Sequence, residues 1–445
     1  MKIVIVGAGD VGSFLAKELS GRSEDVIIID TNESALEKLE ESCDVMTMRG
    51  NGTFRKTLQE VGVHSADLVV GVTSHDDTNL VITSLASELG AQRTVARVDA
   101  PEFFNTRGGI EKGVLGSFAI VCASRLVSAE LLRLVRHIDS PFVENFSANS
   151  ITVALVDVCE NCRYLDKPGS EIDLGKDARV IGVFRDGELR NVVEMANLYQ
   201  GDRILVATKL RKLPIVMRRL KQIPGKKAVI IGGGDVGFQL ATSLQDAENR
   251  LTVIDIDRKR CEFLADKLDH VTIVHGDGTS LGLLQDEHVE MADYTISVTK
   301  ADEVNLMSSL VAQEIGVTNS YTLVHRPGYA HVYEHLGVKG TASAHEMFAK
   351  AVNRYFPNQI ILSEAHVPHT DYVVGEFQIG HLIKNKNLKL RDFNIPHGVF
   401  LVGFSRKEEF YFIDGDPDLT AGDILIMVCK TKEMKNLETM FKKLK

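Results

Sequence analysis

Two glycine-rich segments carry the chemistry that this sequence makes available. Gly7-Ala8-Gly9-Asp10-Val11-Gly12 follows the apolar run Ile3 to Val6, and Gly232-Gly233-Gly234-Asp235-Val236-Gly237 follows Ala228 to Ile231. Glycines at this spacing, between a strand and a helix, meet three needs. Gly7 and Gly232 permit the tight turn, Gly9 and Gly234 let the backbone approach a pyrophosphate, and Gly12 and Gly237 allow close helix–strand packing. The unpaired N–H groups at the helix start then face the phosphates. Asp30 and Asp255 each close the second apolar run of their segment, 18 residues after the last glycine. A carboxylate there accepts hydrogen bonds from the adenosine ribose hydroxyls and repels a 2′-phosphate, which favours NAD(H) or an adenine nucleotide over NADP(H). Asn51 and Asp277, past the third run, fall where an adenine amino group could be read. Thr73 and Thr299 end the fourth run, at the carboxyl edge where ligands of open α/β sheets lie. Asp76 and Asp302 read at least as well as N-terminal caps of the helix that follows.

These residues belong to a duplication. The glycine loops and the two aspartates repeat at an offset of 225, while Gly50-Asn51-Gly52-Thr53 returns as Gly276-Asp277-Gly278-Thr279, and Thr73, Asp76 and Asn79 as Thr299, Asp302 and Asn305, all at 226. A period that long is a repeated domain, not a solenoid unit. In each copy, strand-like runs alternate with segments of helical spacing. The runs are Ile3 to Val6, Val26 to Ile29, Val45 to Met48, Leu68 to Val72 and Thr94 to Val98, then Ala228 to Ile231, Leu251 to Ile254, Val271 to His275, Tyr294 to Val298 and Tyr321 to Val324. Such alternation predicts an α/β fold with a parallel sheet and right-handed crossovers. After a long helical stretch (Leu126 to His137, Glu346 to Tyr355), short alternating runs follow over 150–208 and 372–430, each with a Gly-Asp turn (Gly201-Asp202, Gly422-Asp423) before its last strand. The expected order is a Rossmann domain (1–140), a small α+β or mostly β domain (141–208), a basic linker (209–226), a second Rossmann domain (227–357) and a second small domain (358–445). The join from Lys209 to Lys227 holds eight basic residues and no acid, and reads as a solvated helix plus linker.

Composition narrows the function. The chain has 445 residues, 51 Lys+Arg against 61 Asp+Glu and a net charge of −10. That balance disfavours general nucleic-acid binding. Six cysteines are too few for a disulfide scaffold, and the pair Cys159 and Cys162 lacks the further ligands of a zinc site. No apolar run approaches the length of a spanning helix, and the N-terminal run reads as a strand, not a signal peptide. A nicotinamide-dependent oxidoreductase is the rival reading. Hydride transfer usually needs a general acid or base beside the nicotinamide; His75 and His64 are candidates, without a paired constellation.

Two tandem copies of the glycine loop, the ribose aspartate, G-[ND]-G-T and TxxDxxN, each followed by a small β domain with a Gly-Asp turn, resemble the RCK (KTN) regulators of potassium transport across essentially the whole chain. The resemblance implies tandem Rossmann (RCK-N) domains, each followed by an RCK-C domain. It implies NAD(H) as ligand, with ATP and ADP competing, and no catalytic residues or metal. It implies a homotetramer of eight Rossmann lobes in a ring, bound to a membrane-embedded Trk-type potassium transporter subunit at the inner face of the plasma membrane. Arg97 is by resemblance a ligand-contacting residue of the first copy, whereas Leu323 takes its place in the second and Arg326 falls later. Apart from the resemblance, the apolar helix Leu126 to Val135 needs cover, which predicts self-association.

Overall fold

The computed structural model describes residues 1–21, 24–99, 119–136, 140–147, 150–209, 212–221, 226–245, 250–326, 328–356, 360–379, 388–393, 395–406 and 409–443. His137, and Arg211 and Pro224 of the basic stretch, lie outside them.

The first lobe runs β1 (Lys2–Val6), α1 (Asp10–Ser20), β2 (Asp25–Asp30), α2 (Glu33–Ser42), β3 (Met46–Arg49), α3 (Arg55–Glu60), β4 (Leu68–Gly71), α4 (Asp76–Glu88), β5 (Thr94–Arg97), β6 (Ala119–Val121) and α5 (Ala123–Arg136). The first small domain has β7 (Phe142–Phe146), β8 (Ile151–Asp157), β9 (Ala178–Arg185), β10 (Glu188–Arg190), β11 (Arg203–Lys209) and α6 (Leu213–Leu220). The second lobe repeats the first as β12 (Lys227–Ile231), α7 (Asp235–Leu244), β13 (Arg250–Asp255), α8 (Arg258–Lys267), β14 (Val271–His275), α9 (Leu281–Asp286), β15 (Tyr294–Ser297), α10 (Asp302–Glu314), β16 (Ser320–Val324), α11 (Ala330–His335), β17 (Gly340–Ser343) and α12 (Ala344–Asn353). The second small domain has β18 (Ile361–His366), β19 (Tyr372–Gln378), β20 (Leu388–Lys389), β21 (Phe400–Arg406), β22 (Glu409–Phe412), β23 (Asp418–Leu419), β24 (Ile424–Lys430) and α13 (Met434–Lys443).

Each lobe is a six-stranded parallel sheet, in the orders β3-β2-β1-β4-β5-β6 and β14-β13-β12-β15-β16-β17. The central strands β1, β2, β4, β12, β15 and β16 are runs buried over most of their length, as a sheet covered by helices on both sides requires, while β3 and β14 at the edge are half-buried or exposed. The order reverses beside β1, between β2 and β4, and beside β12, between β13 and β15, so a crevice opens at the carboxyl ends of those strands. The sixth strand of each sheet goes beyond the runs expected from the sequence, because Ala119–Val121 is three residues long and Gly340-Thr341-Ala342-Ser343 lacks an apolar run.

The lobes pack as one compact unit and the small domains as another, so the order along the chain is not the order of packing. In the lobe unit, α12 crosses from the second lobe onto the first. Phe348, Ala349, Val352 and Phe356 join Ile3, Ile5, Leu15 and Val70 in one core, and the Arg93 guanidinium donates to the carbonyls of Tyr355 (3.0 Å) and Phe356 (3.1 Å). In the reverse direction, Ser128 of α5 donates to the Val236 carbonyl at 3.3 Å. Val127, Leu131, Leu132 and Val135 are buried within the chain. The apolar face of α5 is thus already covered and gives no ground for self-association.

In the other unit, two antiparallel sheets of order β10-β9-β11-β8-β7 and β18-β19-β24-β21-β22 share an apolar core that includes Phe146, Leu155, Phe184, Val374 and Val428. The Gly-Asp turns are explained by a buried carboxylate. Asp202 takes a guanidinium fork from Arg185 (2.7 and 2.5 Å), and Asp423 takes the same from Arg406 (2.9 and 2.7 Å). The basic stretch is not a free linker. In α6 the face formed by Leu213, Val216, Met217 and Leu220 is buried in the first small domain's core, and the arginines Arg218 and Arg219 lie between those apolar positions at the end of the helix.

Candidate nucleotide site

The glycine loops sit at the crevice, and the structure gives each glycine a separate reason. Gly7 and Gly232 have φ of 117° and 105°, and a Cβ on either would stand 2.9 Å from the backbone of Thr73 or Thr299. A Cβ on Gly12 would lie 1.8 Å from the Gly7 carbonyl oxygen, and one on Gly237 1.9 Å from that of Gly232. These four are required by the fold itself. Gly9 and Gly234 are different. Their φ angles are −72° and −58°, and among the described residues nothing lies within 4 Å of where a Cβ would stand. Both are the N-caps of α1 and α7, where Ser or Asp would cap at least as well as glycine. Asp10 and Asp235 open the two helices as exposed side chains; Val11 is buried and Val236 half-buried.

Asp30 and Asp255 hold the loops. Asp30 accepts from the N–H of Ala8 at 2.5 Å and of Asn32 at 2.8 Å; Asp255 accepts from Gly233 at 2.5 Å and Asp257 at 2.8 Å. One lone pair of each carboxylate oxygen is thereby committed, and a second remains for hydroxyl donors. Asn51 and Asp277 each accept from the N–H and hydroxyl of the threonine two residues on (2.9 and 2.8 Å, then 2.9 and 2.7 Å). Those donors hold the Asp277 carboxyl below its ordinary pKa. These bonds use only Oδ1 of each side chain, so the remaining group is an amide donor in Asn51 and a carboxylate acceptor in Asp277.

Thr73 and Thr299 end up committed to the fold. The backbone N–H and hydroxyl of Thr73 both donate to Asn79 Oδ1 at 2.7 Å, and Asn79 Nδ2 donates to the carbonyls of Thr73 (3.1 Å) and Arg97 (2.9 Å). Thr299 and Asn305 repeat this, reaching Leu323. The repeated TxxDxxN pattern is therefore accounted for by stapling two strand ends to a helix start. Asp76 and Asp302 are not helix N-caps; those positions belong to His75 and Ala301. One residue further in, each carboxylate turns to the loop after the fifth strand. Asp76 accepts from Asp99 N–H at 3.0 Å, and Asp302 from His325 N–H (2.8 Å), His325 Nδ1 (2.9 Å) and Arg326 N–H (2.9 Å). Burial pushes the Asp302 carboxyl up, but these donors more than offset it and its pKa is lowered.

Arg97 lies at the end of β5 with its guanidinium on Asp99 Oδ2 (3.1 and 2.9 Å), while Asp99 Oδ1 accepts from Ala123 N–H at 3.1 Å. His325 stands where Asp99 does, so the second lobe lacks this arrangement. His75 is exposed at the start of α4, and His64 lies before β4, on the edge of the sheet away from the glycine loop.

One basic residue escaped the sequence reading. Arg260 of α8 donates through Nε to the Gly233 carbonyl (2.5 Å) and through Nη2 to Asp235 (3.2 Å), with its guanidinium over the rings of Phe263 (4.7 Å) and Phe238 (6.0 Å). The signal was a failure of the repeat, since Ala35 stands at the matching place 225 residues earlier.

No described helix is long and apolar enough to cross a membrane. The chain is 26% identical over 442 residues to a Trk system potassium uptake protein TrkA homolog of Archaeoglobus fulgidus, covering 99% of this chain and 100% of that protein. It is 24% identical to the Trk system potassium uptake protein TrkA of Halomonas elongata, covering 99% and 98%. Among solved structures, the GsuK RCK domain shares the fold with a TM-score of 0.58 at 16% identity, covering 99% of this chain and 95% of that one, and the GsuK channel bound to NAD superposes with the same score. The TrkA-N domain model matches residues 3–109 and 228–344, just over half of the sequence and the two stretches that carry the glycine loops, and the chain belongs to the TrkA-N domain family.

Proposed function

We propose that this protein is the cytosolic regulatory subunit of a Trk-type potassium uptake transporter, without catalytic activity of its own, and that it binds NAD(H), ATP or ADP at the two glycine loops. The observation that carries the reading is the pair Gly9 and Gly234. Neither φ nor packing requires glycine there, in either lobe, and close approach of a pyrophosphate does. The first-turn N–H groups and the second lone pairs of Asp30 and Asp255 complete a phosphate and ribose cradle. The potassium uptake proteins among the relatives support potassium uptake, and the GsuK channel solved bound to NAD supports the ligand class. In this reading a tetrameric ring of eight lobes sits on the membrane-embedded transporter subunit at the inner face of the plasma membrane. A nucleotide shifts the ring only by its different affinity for the two states of the lobes.

The test is equilibrium binding of NADH, NAD+, ATP and ADP to the wild-type chain and to Gly9→Val/Gly234→Val, with absorbance to follow NADH. We expect saturable binding without consumption of NADH in the wild type, and binding weakened by at least about a hundredfold in the variant, whose thermal midpoint falls only modestly, because the added side chains enter open space and the cost is that of a poorer helix N-cap. Wild-type protein that binds none of the four would overturn the reading. So would steady oxidation of NADH with carbonyl substrates, which is the behaviour of an oxidoreductase.

A further inference from the structure

The repeat breaks at several places inside the candidate site, and at one of them the changes form a chemically consistent set. In the second lobe, Arg260, Phe238 and Phe263 form a cluster against the glycine loop, the two rings 5.5 Å apart and the guanidinium over both. At the matching places of the first lobe stand Ala35, Ser13 and Lys38. The loop carbonyl that Arg260 satisfies in the second lobe, that of Gly233, corresponds to the Ala8 carbonyl, which in the first lobe accepts from the Ser13 hydroxyl at 3.0 Å. Satisfying a carbonyl therefore takes only a hydroxyl. The arginine adds a full positive charge and a second nitrogen, whose partner is the exposed carboxylate of Asp235. The neighbourhood follows the same trend. The first turn of α8 reads Arg258-Lys259-Arg260 where that of α2 reads Glu33-Ser34-Ala35; of the first lobe's cations on this side, Arg49 is tied to Glu33 at 2.7 Å, and Lys38, one turn further along α2, takes the place of a ring and not of the guanidinium.

Resting on the nucleotide reading above, we propose that Arg260, braced by Phe238 and Phe263, is a specificity-determining residue that makes the second lobe sort nucleotides by the charge of their phosphate chain, taking ATP and ADP in preference to NAD+, which the first lobe does not do. An arriving phosphate competes with Asp235 for the outer nitrogen of Arg260. Exchange of an exposed carboxylate for a phosphate costs little, because the carboxylate regains water. The aromatic faces hold the guanidinium in place meanwhile and spare the ligand the entropy of ordering it.

The experiment is calorimetric titration of the full-length chain carrying Gly9→Val, which leaves only the second lobe open, with ATP and NAD+ at low and high salt. In that background Arg260→Ala should weaken ATP about tenfold and NAD+ by less than about threefold, and the salt dependence of ATP binding should flatten. Asp235→Asn, at an exposed position, should tighten ATP a few-fold by removing the competing anion. A residue that merely staples the loop predicts the opposite pattern: equal losses for both nucleotides in Arg260→Ala and no gain in Asp235→Asn, and that result overturns the proposal. Binding retained in Gly234→Val but absent from Gly9→Val would also overturn it, while leaving the general nucleotide reading intact. Absence of binding in the wild-type chain would instead defeat the reading on which the proposal rests.

Discussion

At the scale of single residues, the three repeated glycines of the loops (Gly7, Gly9 and Gly12, with Gly232, Gly234 and Gly237) separate into those the fold needs and the one it does not. Gly12→Ala forces a methyl into the Gly7 carbonyl, so α1 must move away from β1. We expect it to cost about 2 to 3 kcal/mol of stability, read as a lowered midpoint in denaturant, with nucleotide binding lost as a consequence of the damaged fold. Gly9→Ala should cost no more than about 1 kcal/mol, as a poorer N-cap, while weakening the ligand; a drop equal to that of Gly12→Ala would show that Gly9 is structural too. These glycines were legible in the sequence because a loop of fixed spacing between a strand and a helix is a local constraint. The roles of Asp76 and Asp302 were not, because their partners, Asp99, His325 and Arg326, lie 23 or 24 residues on, beyond any cap pattern. Arg260 was legible only by comparing the copies, and only to a reader looking for where they differ.

At the scale of elements, the start of α12 holds a group whose titration is set by its packing. His345 is buried against Phe14 of α1, with ring centroids 6.2 Å apart, and its Nδ1 finds no hydrogen-bond partner among the described residues. Burial lowers its pKa, while Asp10 and Asp302 pull it up and Arg97 and His325 push it down. The unfolded chain takes up a proton near the ordinary value of about 6.5 and the folded chain resists doing so, so the contribution to stability is complete above that value and is lost as the pH falls through it toward the folded value. The thermal midpoint of the wild type should therefore drop between about pH 7.5 and about pH 5.5, and His345→Leu should drop less. Equal slopes would remove His345 as the cause. The helix carrying this residue was legible from its spacing, although its Ser343 cap was not picked out. Its destination was not, since a helical period says that one face is apolar but not which sheet will cover it. The same limit made α6 look like a linker: its basic residues dominate the composition, and the four buried apolar positions show only once β8 and β11 are in place beside it.

At the scale of the whole molecule, the two lobes complete one another. Phe348 belongs to the second lobe by sequence and to the first by packing, fully buried among Ile3, Leu15 and Val70. Phe348→Ala should cost about 3 to 5 kcal/mol, and hydrogen exchange should show faster opening of β1 and β4, more than two hundred residues away in the chain. A loss confined to β12 to β17 would contradict the shared core. Duplication was plain from the collinear motifs, and the six-stranded sheets follow from it; the exchange of helices between the copies was not, because both halves carry an apolar helix at the same place and the pattern is the same whether each helix stays at home or crosses.

That exchange also sets a clock during synthesis. Residues 1–132 emerge from the ribosome with the face that α12 will cover still bare, and Phe348 to Phe356 follow more than two hundred residues later. At about 5–20 residues per second the wait is roughly 10 to 40 s. During it the nascent first lobe presents an apolar surface that awaits α12 and is open to a chaperone or to the matching helix of a neighbouring nascent chain.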